Sequence, residues 1–128
     1  MNVVIDTNVI VSAFLSSRGK PAAILEMFFN DEIKIYYNEN ILNEYEDVLS
    51  RPVLHIEQEK AKKFFIILRD TGLSIETVVS DIPLPDEDDR IFYDTAKSSG
   101  AILITGNIKH YPVENFIKPP SEFLDMLI

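Results

Sequence analysis

Short apolar blocks alternate with polar segments along the chain, and their spacing favours strands and helices in turn. Runs rich in valine and isoleucine predict strands over residues 3–5, 33–37, 73–79, 101–104 and 116–118. Helical spacing of apolar residues predicts helices over residues 9–14, 21–29, 41–49, 57–71, 88–99 and 121–127. This order is typical of an α/β fold, a three-layer sandwich in which helices flank a mostly parallel sheet of about five strands.

The length and the absence of cysteine narrow the possible chemistry. A chain of 128 residues has the size of one ordinary domain, and we expect a single domain over residues 1–128. Without cysteine there is no disulfide, no thiolate zinc site and no cysteine nucleophile, which suits a reducing cytosol. Any metal chemistry must therefore use oxygen ligands.

No stretch approaches the roughly 20 apolar residues of a membrane span, so we expect a cytoplasmic protein without membrane contact. The formal charge of −9 argues against broad adhesion to nucleic acid, because such binding needs clustered basic side chains. A nuclease whose acids are neutralised by bound cations is still compatible with this charge. Some basic residues could form a local substrate track, or simply solvated helix surface: Arg18, Lys20, Arg51, Lys60, Lys62 and Lys63.

Asp6 directly follows the first predicted strand and is followed by Thr7 and Asn8. In an open parallel sheet, ligands bind beyond the carboxyl ends of strands, where Asp6 is placed. Asp is also a favoured helix N-cap, so capping of the next helix explains this position equally well. Acids at equivalent places elsewhere in the chain would favour a site.

Glu44 lies beside the apolar stripe of its predicted helix, three residues after Ile41 and four before Val48. Glu46 flanks the same stripe on its other side, so the periodicity does not choose between the two glutamates. A surface ion pair explains either of them without a functional role.

Four consecutive acids, residues 86–89, lie at the start of the helix predicted over 88–99. Negative charge at a helix N-terminus is worth about 0.3–1 kcal/mol per group, which accounts for one or two of them. Asp86 and Asp88 suit capping, whereas Asp89 precedes Phe92 by three residues and is expected near the inward face of the helix. The remaining charge needs a cation or a solvated loop.

The strand predicted over residues 101–104 ends in Thr105, Gly106 and Asn107, which repeats the pattern at Asp6. Asp6, Glu44, Asp89 and Asn107 could therefore converge at one edge of the sheet. Carboxylates about 4 Å apart repel by about 4 kcal/mol at an effective dielectric constant of 20, so such a cluster favours a divalent cation. Oxygen ligands suit Mg²⁺ or Mn²⁺.

Over nearly its whole length the chain resembles PIN-domain ribonucleases, and more narrowly the VapC-like toxin components of toxin–antitoxin systems. The resemblance lies in four motifs: VVIDTNVIVSAF, ILNEYEDVL, DEDDRIFYDTAKSSGAILITGN and KPPSEFLDML. It places Asp6, Glu44 and Asp89 at the three acids of the family, and Asn107 where many members carry a fourth. Asn8 and Thr105 match small polar positions that support the acids.

The resemblance implies a metal-dependent endoribonuclease. Asp6, Glu44 and Asp89, with Asn107, would hold Mg²⁺ or Mn²⁺, a water would attack the phosphodiester, and the 3′ oxygen would leave. His55 and His110 have no role in this mechanism. The resemblance also implies an RNA substrate, a protein antitoxin as partner, and a homodimer.

Two other functions are compatible with parts of the sequence, and a third is disfavoured. A non-catalytic family member could bind RNA or an antitoxin, and Asn107 in place of an acid keeps this alternative open. A receiver-type phosphoacceptor domain has similar length, and Thr105 with Lys118 and Pro119 imitates part of its pattern. That family needs a phosphorylated Asp at the end of a central strand, and between Ile33 and Arg51 this chain offers only acids on a predicted helix. The four glycines do not form a phosphate-binding loop, which disfavours a P-loop or dinucleotide enzyme.

Overall fold

A computed structural model describes residues 1–127, in which five strands form one sheet. The strands are β1 (Asn2–Ile5), β2 (Lys34–Tyr37), β3 (Leu73–Ser74), β4 (Ile102–Ile104) and β5 (Ile117–Lys118). Their spatial order is β3-β2-β1-β4-β5, and every neighbouring pair is parallel. The predicted α/β class with a five-stranded parallel sheet is confirmed.

Helices flank this sheet: α1 (Thr7–Leu15), α2 (Lys20–Phe29), α3 (Glu39–Leu49), α4 (Gln58–Thr71), α5 (Arg90–Ser99) and α6 (Pro120–Asp125). The Asn38 side chain caps α3 by accepting a 3.0 Å hydrogen bond from the backbone N–H of Ile41. Gly100 ends α5 in the left-handed region, with φ of +72°. Within residues 1–127, every helix is too short or too polar to cross a bilayer.

The core lies between the sheet and an aromatic cluster on the helices. Val3, Val4 and Ile5 of β1 are buried, as expected for a central strand covered on both faces. Phe64 of α4 is fully buried, and its ring centroid lies 5.2–6.5 Å from the five rings around it, those of Phe14, Phe28, Phe29, Tyr45 and Phe65. This cluster ties α1, α2 and α3 to α4.

The strand predicted over residues 73–79 is wrong beyond Ser74, because the chain leaves the sheet there. The last backbone bond to β2 is donated by Ile75 to the Tyr37 carbonyl at 3.1 Å. Further along, the Val78 N–H donates to Ser98 Oγ and the Ser80 N–H to Asp94 Oδ2, both on α5. Side chains of α5 therefore take the place of a neighbouring strand for this segment.

Several helix boundaries differ from the prediction. α1 begins at Thr7 rather than residue 9, and α6 covers Pro120–Asp125 rather than 121–127. Residues Glu87–Asp89 form a separate 3-10 turn before α5, so the placement of Asp89 within the helix is wrong. Asp86 caps this turn as expected, accepting from the Asp88 N–H at 2.9 Å.

The strand order places the carboxyl ends of β1 and β4 side by side. From β1 the chain goes to β2 on one side, and β4 pairs with β1 on the other, which makes this crevice the topological switch point of the sheet. The Asp6 N–H extends the pairing by donating to the Ile104 carbonyl at 2.9 Å. The fold therefore brings Asp6 next to the residues that follow β4.

Candidate functional site

Asp6 is the N-cap residue of α1, but its side chain does not cap the helix. The carboxylate is instead 5% exposed and receives two hydrogen bonds on the same oxygen, Oδ2. Thr105 Oγ1 and Tyr111 Oη each donate to it at 2.8 Å. In the part of the chain that the structure describes, Oδ1 accepts no hydrogen bond, so this oxygen is available to a ligand.

Asp89 lies in the turn before α5 with its side chain 16% exposed. Among residues 1–127 nothing donates a hydrogen bond to its buried Oδ2. Partial burial raises the pKa of Asp89 to about 6, and the charges of Asp6 and Asp86 add to this effect. A buried carboxylate oxygen without a donor is a position that a cation would satisfy.

His110 lies beside Asp89, with its Nδ1 atom 3.4 Å from Asp89 Oδ2. The contact is close enough for an ion pair but is not aligned as a hydrogen bond. The positive charge of a protonated His110 lowers the pKa of Asp89, which counters the increase caused by the Asp6 and Asp86 carboxylates. The side chain of His110 is half exposed, so it lies at the rim of the site.

Glu44 is the glutamate of α3 that faces the site. Its side chain is half-buried, and burial raises its pKa, with further increases from Asp47, Asp88 and Asp6. Arg51 opposes these effects. Glu46 instead forms an exposed ion pair with Arg69 at 2.9 Å and lines a different groove.

The acids are not drawn together as tightly as the sequence predicts. Among residues 1–127, no three Asp, Glu, His or Cys side chains form a group that could hold one metal ion. The donors present still fit an ion such as Mg²⁺, which keeps several waters and is often bound by one or two carboxylates. Asp6 and Asp89 fit such a role, because each has a carboxylate oxygen without a hydrogen-bond donor.

Asn8 and Asn107 connect the ends of β1 and β4. Asn8 Oδ1 accepts from the Gly106 N–H at 2.9 Å, and a side chain at Gly106 would come within 3.2 Å of that oxygen. The backbone N–H of Asn107 donates to Thr105 Oγ1 at 3.0 Å, and Asn107 itself is exposed. The described chain shows no hydrogen bond from the Asn107 amide to Asp6.

Comparison with known proteins gives a match over most of the chain: residues 2–109 match the PIN domain family. The chain belongs to the PIN domain family. PIN domains are generally metal-dependent nucleases that use divalent ions, so this membership indicates nuclease-type chemistry and nucleic-acid binding. A similar protein, the uncharacterized protein MJ1680 of Methanocaldococcus jannaschii, is 32% identical over 110 residues, covering 84% of this chain and 71% of its own length.

The sequence patterns do not identify two residues that contact the candidate acids. Tyr111 donates to Asp6 from a loop after β4, and His110 contacts Asp89 although the sequence predicted no role for it. Neither residue follows a strand directly or lies on a helix stripe, so the patterns that identified the acids do not identify them. A tyrosine next to a histidine in a polar loop carries no such signal.

Proposed function

We propose that this PIN domain is a metal-dependent endoribonuclease that hydrolyses RNA phosphodiester bonds with Mg²⁺ or Mn²⁺. The observation that supports it best is the pair of carboxylates at the switch point of the sheet. Asp6 and Asp89 are largely buried, their charges interact, and Asp89 Oδ2 has no donor among the described residues. Repulsion between two such carboxylates destabilises the fold unless a cation neutralises their charge.

In this proposal Asp6 and Asp89 hold the ion, and Glu44 adds negative charge from α3. A bound Mg²⁺ or Mn²⁺ supplies an activated water and stabilises charge on the phosphate and the departing 3′ oxygen. Thr105 and Tyr111 orient Asp6 so that its second oxygen faces the crevice. Asn8 fixes the turn after β4, and Asn107 adds an amide oxygen at the crevice mouth.

The four sequence motifs also support a role as the toxin component of a toxin–antitoxin system. An antitoxin protein as inhibitor and a homodimeric assembly belong to this proposal. The support for the antitoxin and the homodimer is the resemblance of the four motifs to VapC-like toxins.

The proposal is tested by incubating the purified protein with a mixed pool of single-stranded RNA in Mn²⁺, Mg²⁺ or EDTA. We expect cleavage in either metal and none in EDTA. Asp6→Asn, purified in parallel, excludes a contaminating nuclease and should be inactive. Cleavage that persists in EDTA or in Asp6→Asn would contradict the proposed site. A protein that binds Mn²⁺ in calorimetry but leaves all RNA intact would favour the non-catalytic alternative.

Tyr111→Phe should lower cleavage by about 10- to 100-fold, the usual effect of removing an outer partner of a metal ligand. The change removes the 2.8 Å hydrogen bond to Asp6 Oδ2 and keeps the ring in place. Apparent Mn²⁺ affinity, from the metal dependence of the rate, should fall with it.

Tyr93→Phe is the matched control, because it removes a similar 2.9 Å bond from a buried tyrosine to Glu114, outside the site. We expect Tyr93→Phe to retain the parent metal dependence. Equal losses in the two variants would mean that the Tyr111 hydroxyl acts on the fold in general and not on Asp6.

A further inference from the structure

We propose that Arg51 binds a phosphate of the RNA strand next to the bond that is cut, which makes it a substrate-positioning residue. This inference rests on the proposed ribonuclease function. It deepens that function by assigning where the strand lies relative to the acids. Neither the family match nor the similar protein assigns a role to this arginine.

Two of the candidate acids, Asp6 and Glu44, open onto a groove of about 490 Å³ between α1, the end of α3 and the connection to α4. Asp6 and Glu44 line one part of it, and Arg51 lines another. Among the described residues that line this groove, Arg51 is the only basic one. By contrast, Lys60 and Lys62 form exposed ion pairs within α4 and its approach.

The negative charge of the groove explains why a basic side chain is needed to bind an RNA phosphate there. The chain carries a formal charge of −9, and an RNA phosphate that approaches Asp6 and Glu44 meets repulsion. A bound metal ion offsets this repulsion only for the phosphate that it contacts. Arg51 lines the same groove as Asp6 and Glu44, so its positive charge acts on a neighbouring phosphate of a strand that lies there.

The guanidinium of Arg51 has donors free for a ligand. Its Nη2 atom pairs with Asp47 Oδ2 at 2.9 Å, and both side chains are more than half exposed. An exposed pair of this type is weak. A guanidinium carries five N–H donors in a planar fork that suits phosphate, and the described partners use one nitrogen.

The turn after Arg51 gives the groove a fixed apolar wall. Residues Pro52–Leu54 form a 3-10 turn that ends at His55, which has a left-handed φ of +53°. Such a φ is uncommon for a residue other than glycine and needs support from the surrounding structure. Here Gln58 Nε2 donates to the carbonyls of Leu49 and Ile56 at 3.0 Å.

Val53 of this turn is 76% exposed and lines the groove, so it offers an apolar surface on which a base can pack.

Arg51→Gln tests the inference, with Arg69→Gln as a closely matched control. Arg69 has the same exposure as Arg51, 54% against 55%, and the same 2.9 Å pair with an acid of α3, but it lies on another groove. Binding of a labelled single-stranded RNA is measured by fluorescence anisotropy with Mg²⁺ in the Asp6→Asn background. Steady-state cleavage is measured in the otherwise unchanged protein.

We expect Arg51→Gln to weaken RNA binding about tenfold, as loss of one charge-assisted hydrogen bond does. The slope of log K against log salt should become shallower by about 0.7, the value for one phosphate on a single strand. KM should rise more than kcat falls. Asp47→Asn should strengthen binding, because it frees the guanidinium and removes a negative charge.

Unchanged binding in Arg51→Gln, equal losses in Arg51→Gln and Arg69→Gln, or weaker binding in Asp47→Asn would each overturn the inference. If the parent cleaves RNA while one of these results is found, only the role of Arg51 is wrong. If the parent neither binds nor cleaves RNA, the proposed ribonuclease function fails and the role of Arg51 fails with it.

Discussion

Asp89→Asn should reduce RNA cleavage by about 100-fold or more, since even outer partners of a metal site contribute 10- to 100-fold. The amide keeps the shape of the carboxylate but loses the charge that would hold the cation. Cleavage of labelled RNA in saturating Mn²⁺, compared with the parent, measures this effect. Asp70→Asn is a suitable control, because Asp70 is exposed on α4 and is not among the groups that shift the pKa of Asp89.

The same variant should be more stable than the parent when metal is absent. The pKa of Asp89 is about 6 in the folded protein and 3.8 in its ordinary state, so the folded state favours the protonated acid. This contribution to stability is complete below about pH 4 and is lost as the pH rises through 6. Asn at this position avoids the loss, because it carries no charge at any of these pH values.

Thermal unfolding in EDTA at a series of pH values measures this difference. The melting temperature of Asp89→Asn should exceed that of the parent above pH 6, and the gap should close near pH 4. Asp70→Asn should show no such pH-dependent gap. A lower melting temperature for Asp89→Asn at pH 7.5 would mean that the contact between Asp89 and His110 stabilises the metal-free fold more than the acids destabilise it.

Phe64→Ala should reduce the free energy of unfolding by about 3–5 kcal/mol, the range for removing a buried phenylalanine ring. Phe64 is fully buried and contacts aromatic rings from α1, α2 and α3, so no single neighbour can fill the cavity. Chemical denaturation at fixed pH in EDTA measures the loss.

Ile66→Ala is the control for this change, because Ile66 lies two residues further along α4 and is 68% exposed. We expect its effect to stay within about 0.5 kcal/mol, as for most surface substitutions. A loss in Phe64→Ala close to that of Ile66→Ala would contradict the placement of Phe64 at the centre of the aromatic cluster.

The sequence predicts the sheet and most helices because apolar periodicity reports local burial directly. It overestimates β3, since alternation over residues 73–79 is equally compatible with an extended segment. Whether that segment pairs with a strand depends on Ser98 and Asp94 of α5, which lie 20 residues after Val78 and 14 after Ser80. These side chains accept hydrogen bonds from the N–H groups of Val78 and Ser80, and no local sequence pattern predicts these bonds.

The site shows the same division between local and long-range information. The position of Asp6 after β1 is visible in the sequence, whereas only the packing of α3 places Glu44, and not Glu46, in the groove with Asp6. Tyr111 meets Asp6 only because β4 pairs with β1. The spacing of the acids along the chain also does not reveal that Asp89 precedes α5 in a 3-10 turn.

The hydrogen bonds that orient Asp6 come from residues 99 and 105 positions further along the chain. On a ribosome, β1, β2 and β3 emerge long before β4, which must insert beside β1 to complete the crevice. Asp6 therefore has neither of its two donors during most of synthesis. A nascent chain of this topology lacks the assembled crevice, so under the proposed ribonuclease function it has no centre with which to cleave RNA while it is being synthesised.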